Sequence, residues 1–192
     1  MRAELGAVYA AADRHYHGLA HIEALLRLAD VHAMTIGDHD AVEAAIWFHD
    51  AVYDTRRSDN EEKSAQLAVG RLAGIAAPDR LARIAAMIRA TANHAVPDFG
   101  EGTPESAAQD CALFLDFDLA VLGSPAAEFA NYEAAVRREY AWASERLWIA
   151  GRRAVLEHFL ARPAIYATAQ FRASHEAAAR RNLTEALALF EH

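Results

Sequence analysis

The chain is poor in the residues that punctuate or staple a fold. A single cysteine in 192 residues rules out an internal disulfide. Nine glycines and five prolines leave few turn signals, and strand-like runs bounded by such signals are missing. No apolar run approaches the roughly 18 residues of a membrane-spanning helix, and no basic-then-apolar leader opens the chain. These absences lead us to expect a cytoplasmic protein with no membrane segment. Basic residues are also in deficit, 19 Lys and Arg against 27 Asp and Glu, for a net charge of −8. That balance opposes the backbone of a long nucleic acid. A small phosphorylated partner remains compatible with it, because a bound cation and a few arginines dominate the field of a pocket.

What is present is helical. Hydrophobic residues make up 54% of the chain, largely alanine, leucine and isoleucine, and they recur at helical spacing almost throughout. The expectation is an all-α fold, a single-domain bundle covering residues 1–192. Helices are expected over about Ala3–Ala12, Leu19–Ile36 and Asp40–Tyr53. The run Asp59-Asn-Glu-Glu62 has the spacing of an N-cap with an acidic residue three positions on, opening a helix to about Ala76. Pro78 suits the first turn of a helix to about His94. The stretch Ala95–Pro104 is the clearest loop. Further helices are expected over about Glu105–Leu122, from a Ser124-Pro125 cap to Trp142, over Glu145–Ala161 and over Ser174–Phe190.

Three segments carry the chemistry: His17-Gly-Leu-Ala-His21, Trp47-Phe-His49-Asp50-Ala-Val-Tyr-Asp54 and Phe114-Leu-Asp116-Phe-Asp118. An imidazole and a carboxylate one residue apart can reach one ion from adjacent positions, so His49-Asp50 is the centre. A histidine upstream and an aspartate downstream complete a four-ligand set. If Asp40–Tyr53 is helical throughout, Asp50 and Asp54 share a face. Asp116 and Asp118, two apart on a helix, point in opposed directions, and the choice falls on Asp118. Two imidazoles with two carboxylates suit Mn²⁺, Fe²⁺, Co²⁺, Ni²⁺ or Zn²⁺ better than Ca²⁺, with Mg²⁺ also allowed. Cys111 reads as a small core residue rather than a ligand.

These segments resemble the HD superfamily of metal-dependent phosphohydrolases, whose signature is H…HD…D on a helical bundle. More narrowly, RHYHGLAHIEALL, AIWFHDAVYD, DNEEKSA, LDFDLAVLG, RREYAW, GRRAVLEHFLARPAIY and ARRNLTEAL resemble a bacterial branch of predicted HD phosphohydrolases, over nearly the whole chain. The resemblance implies His21, His49, Asp50 and Asp118 as metal ligands, with His17 an accessory group. Thr91-Ala-Asn-His94 resembles a stretch that reaches a second ion in two-metal relatives, although the loop after it carries no further histidine. The implied activity is hydrolysis of a small phosphorylated metabolite or nucleotide. Asp54 or Glu61 would orient or deprotonate the attacking water. Arg56 and Arg57, with His17, His94, Arg138 and Arg152, are candidates to hold the substrate. The alternative is a metal-containing nucleotide-binding or regulatory module without turnover.

Overall fold

The computed structural model describes residues 1–190, and among them the chain forms nine α-helices and no β-strand. No helix among the described residues is long and apolar enough to cross a membrane. The backbone gathers into two compact units, residues 1–117 and the chain from Asp118 onward.

The first unit is built round α3. Helices α1 (Arg2–Tyr9), α2 (Leu19–Val31), α4 (Asn60–Leu72) and α5 (Pro78–Ala90) complete it, together with most of α6 (Ser106–Leu119). Helix α3, His39–Phe48, packs against α1, α2, α4 and α5. It is apolar enough to be central: Val42, Ala45, Ile46 and Phe48 are buried, as are Ile22 and Leu25 of α2 and Ile84, Met87 and Ile88 of α5. Pro78 stands in the first turn of α5, as its missing N–H favours. Cys111 of α6 is fully buried, and that burial, with Asp110 beside it, pushes its thiol pKa up to about 12.

The N-terminus of α3 is closed by charge. The Asp38 carboxylate accepts from the Ala41 N–H at 3.2 Å, from Arg80 at 2.9 Å and from Arg83 at 2.8 Å. From α6, buried Asp110 accepts the Gly37 and Asp38 N–H groups at 2.7 and 2.9 Å. The approach is close enough that a Cβ on Gly37 would lie 2.4 Å from Ser106, so only glycine fits.

The second unit comprises α7 (Ala126–Glu139), α8 (Glu145–Leu160) and α9 (Ala169–Ala188), with a short 3₁₀ turn at Ala120–Gly123. Asn182 of α9 donates to the Leu122 and Ser124 carbonyls, both at 2.9 Å. A Cβ on Gly123 would meet His175 at 2.7 Å. Ser144 and Thr168 cap α8 and α9 by accepting from the Leu147 and Phe171 N–H groups.

Several expected boundaries move. Helix α2 stops at Val31 and gives way to a 3₁₀ turn, with the His32 ring donating to the Leu28 carbonyl at 2.8 Å. Asp59 occupies the cap position of α4 but makes no side-chain cap bond, because its carboxylate is taken by Arg57. Ser124 likewise makes no cap bond to α7. Helix α9 begins five residues ahead of the expected Ser174, at the Thr168 cap.

Candidate metal centre

The expected helix Asp40–Tyr53 ends at Phe48, with His49 as its C-cap. The reason is tertiary. The carbonyls of Asp50 and Ala51 accept from the Arg14 guanidinium at 2.7 and 3.3 Å. Buried Ser64 of α4 takes both the N–H and the carbonyl of Val52, at 3.0 and 3.2 Å. Asn60 does the same for Asp54, at 3.1 and 3.0 Å. Main-chain groups that would have continued the helix are thus satisfied from elsewhere. Asp50 and Asp54 therefore share no helical face, which corrects the expectation above. Asp54 is exposed, and its carboxylate accepts the Arg56 N–H at 2.9 Å.

This early stop turns His49 and Asp50 toward the first turn of α2. Nε2 of His49 lies 3.3 Å from Nε2 of His21 and 3.0 Å from Oδ2 of Asp50, and His21 Nε2 is 3.9 Å from the same oxygen. Both histidines are buried, Asp50 partly so. The other ring nitrogen of His49, Nδ1, is 2.9 Å from the Ile46 carbonyl. A carbonyl only accepts, so Nδ1 carries a proton, and in the neutral ring Nε2 presents its lone pair to the group. That is the outer bond that metal-binding histidines make.

The residues fit an ion. Ligand atoms about 2.1 Å from a shared metal lie about 3.0 Å apart at a right angle and about 3.4 Å apart at the tetrahedral angle, close to two of the three separations seen. With both rings neutral and Nε2 unprotonated, two nitrogen lone pairs and a carboxylate oxygen this close repel one another unless a metal ion lies among them. The His21, His49 and Asp50 group could therefore hold a metal ion. The C-terminal end of α3, with its outward carbonyls, favours a cation there.

The other expected residues are distributed as follows. His17 is half-buried, its ring 6.0 Å from that of His21 and 4.4 Å from that of Tyr53. Glu61 lies in the first turn of α4, half-buried. Arg56 is exposed, and Arg57 pairs with Asp59 at 2.6 Å. His94 follows the end of α5 in the left-handed region, φ 49°, its N–H on the Ala90 carbonyl at 2.7 Å. Asp116 is fully buried and belongs to the first unit, whereas half-buried Asp118 opens the second. Arg138 is exposed on α7. Arg152 is buried, and its guanidinium is engaged by the Glu133 carboxylate and by the Tyr132 hydroxyl at 3.0 Å.

A separate concavity of about 350 Å³ lies at the other end of α3. Its two arginines, Arg80 and Arg83, are already taken by Asp38, Asp40 and Asp79. Arg14 is the residue that sequence reasoning missed. It begins one of the segments that carry the resemblance, but an arginine that binds main-chain carbonyls has no spacing signature. Compared with protein-family models, with curated proteins and with solved structures, the chain matches none.

Proposed function

We propose that this chain is a metal-dependent phosphohydrolase of the HD type, acting on a small phosphorylated metabolite or nucleotide. The observation that carries the reading is the convergence of His21, His49 and Asp50, with His49 Nδ1 held on the Ile46 carbonyl. The sequence resemblance supplies the reaction class and the fourth ligand, Asp118. When bound, a divalent ion supplies Lewis-acid polarisation of a phosphate oxygen and lowers the pKa of water toward neutrality.

The chain's own residues then have defined tasks. His21, His49, Asp50 and Asp118 hold the ion. Asp54 or Glu61 accepts the proton of the attacking water. Arg56, Arg57 and His17 are the candidates to hold the phosphate. The test is metal content of protein purified without added metal, followed by phosphate release from nucleoside mono-, di- and triphosphates and an aryl phosphate. Chelation should abolish turnover and Mn²⁺ restore it. Full turnover in protein shown to be metal-free would refute the proposal. Saturable nucleotide binding without phosphate release would instead favour a regulatory module.

A further inference from the structure

We infer that Arg14 is the positioning residue that sets the spacing of the metal ligands, a reading that rests on the metal-site proposal above. One guanidinium joins the two ligand-bearing segments. Its NH1 donates to the His17 carbonyl at 3.0 Å and to the Asp50 carbonyl at 2.7 Å, and its NH2 donates to the Ala51 carbonyl at 3.3 Å. His17 ends the turn that leads into α2 and His21, while Asp50 and Ala51 directly follow His49. The relative placement of the two imidazoles is therefore referred to one rigid, planar group.

The choice of acceptors is informative. A carboxylate is a stronger acceptor for an arginine N–H than a neutral carbonyl, and the Asp50 carboxylate belongs to the same residue. Arg14 nevertheless binds the main-chain oxygen of Asp50. Its orientation is imposed by two rings, with its carbon 5.0 Å from the Tyr9 centroid and 5.5 Å from that of Tyr53. Tyr9 is itself fixed by its hydroxyl on the Trp47 carbonyl at 3.1 Å. Gly18 permits the close turn, since a Cβ there would come within 3.2 Å of the Tyr9 carbonyl and 3.3 Å of the Arg14 carbonyl. Arg14 thus holds the backbone while the Asp50 carboxylate stays with the histidines.

Two effects of Arg14 on an ion oppose each other. Its positive charge repels a cation, and its three bonds preorganise the ligands. Loss of such outer-shell support weakens metal binding about 10–100-fold, and we expect that effect to win. Arg14→Met keeps length and packing without donors or charge; Arg14→Lys keeps the charge but lacks the planar fork.

Mn²⁺ titration by calorimetry, well below the melting temperature of each protein, should show Arg14→Met weaker by about 10–100-fold and Arg14→Lys recovering little of that loss. The Co²⁺ absorption spectrum should shift in both, reporting altered coordination. In metal-free protein, amides 49–53 should exchange faster in Arg14→Met than in wild type. Equal or tighter Mn²⁺ binding by Arg14→Met would overturn the inference, as would a lowered melting temperature with unchanged affinity. Should wild type take up neither ion, the metal reading falls. Amide exchange alone then judges Arg14: acceleration confined to 49–53 upholds the clamp, and no change removes it.

Discussion

The two ends of α3 use the same residue types in opposite ways. At the N-terminus the Asp38 carboxylate is saturated by Arg80, Arg83 and a main-chain N–H. At the C-terminus the arginine goes to main-chain carbonyls, and the carboxylate of Asp50 faces two imidazoles. A closed network of paired charges and hydrogen bonds has no further cation to accept, so the first arrangement serves stability. The second brings two imidazoles and a carboxylate within 3.9 Å of one another, a grouping that could hold a metal ion.

The comparison can be broken most severely at its closed end. Asp110→Ala removes the acceptor of two N–H groups, and charge-assisted bonds of this kind contribute about 1.5–3 kcal/mol each. The loss should be on the order of 3 kcal/mol, lowering the melting temperature by about 6–12 °C, with Mn²⁺ affinity unchanged in the folded protein. A fall in affinity would show that the two ends are coupled.

At the open end, free metal at 100-fold its dissociation constant adds about 2.7 kcal/mol, or about 5–10 °C at roughly 2–4 °C per kcal/mol. Asp50→Asn should erase most of that shift. Asp118→Asn should erase it as well, and Asp116→Asn should keep it whatever its effect on the metal-free fold. Retention of the shift in Asp118→Asn together with its loss in Asp116→Asn would reverse the assignment of the fourth ligand.

A smaller effect tests the sign of the electrostatics at Asp38. Burial alone would raise its pKa, but hydrogen bonds from Arg83, the Ala41 N–H and Arg80 bring it below the ordinary value of 3.8. A lowered folded-state pKa gives stability that is present above that ordinary value and is lost as pH falls through the folded one. Asp38→Asn should therefore cost about 1–2 kcal/mol at pH 7, and the gap should close progressively below pH 3.8. A gap that persists in strong acid would mean that the carboxylate charge is not the source.

The smallest structural effect is expected at Asp54. Asparagine keeps the oxygen that accepts the Arg56 N–H, so Asp54→Asn should change stability by less than about 0.5 kcal/mol. Phosphate release then decides its role. A fall of about 10²–10⁴-fold would mark a general base, and unchanged turnover would leave Glu61 as the candidate.

The helices were legible because their apolar spacing survives any tertiary arrangement: Pro78 opens α5, and Leu19 opens α2, as expected. Their ends were less so. Helix α3 stops at Phe48 because Arg14, Ser64 and Asn60, from 6 to 37 residues away from the groups they bind, take over its main chain. No local pattern encodes that. For the site, the H…HD spacing pointed to His21, His49 and Asp50, which the fold brings together. The helical geometry assumed for Asp54 failed for the same reason that α3 ends early. Arg14 stayed hidden because its partners are carbonyls, which every residue carries.

The fully buried thiol of Cys111 has a practical consequence. With its pKa near 12, almost none of it is thiolate at neutral pH, and thiolate is the form that alkylating reagents attack. In the native protein the residue should be silent toward iodoacetamide or an aromatic disulfide, and it should react only when α6 is exposed. Because it is the sole cysteine in the chain, the labelling rate becomes a stopwatch for opening of the first unit, readable by mass spectrometry without any introduced probe.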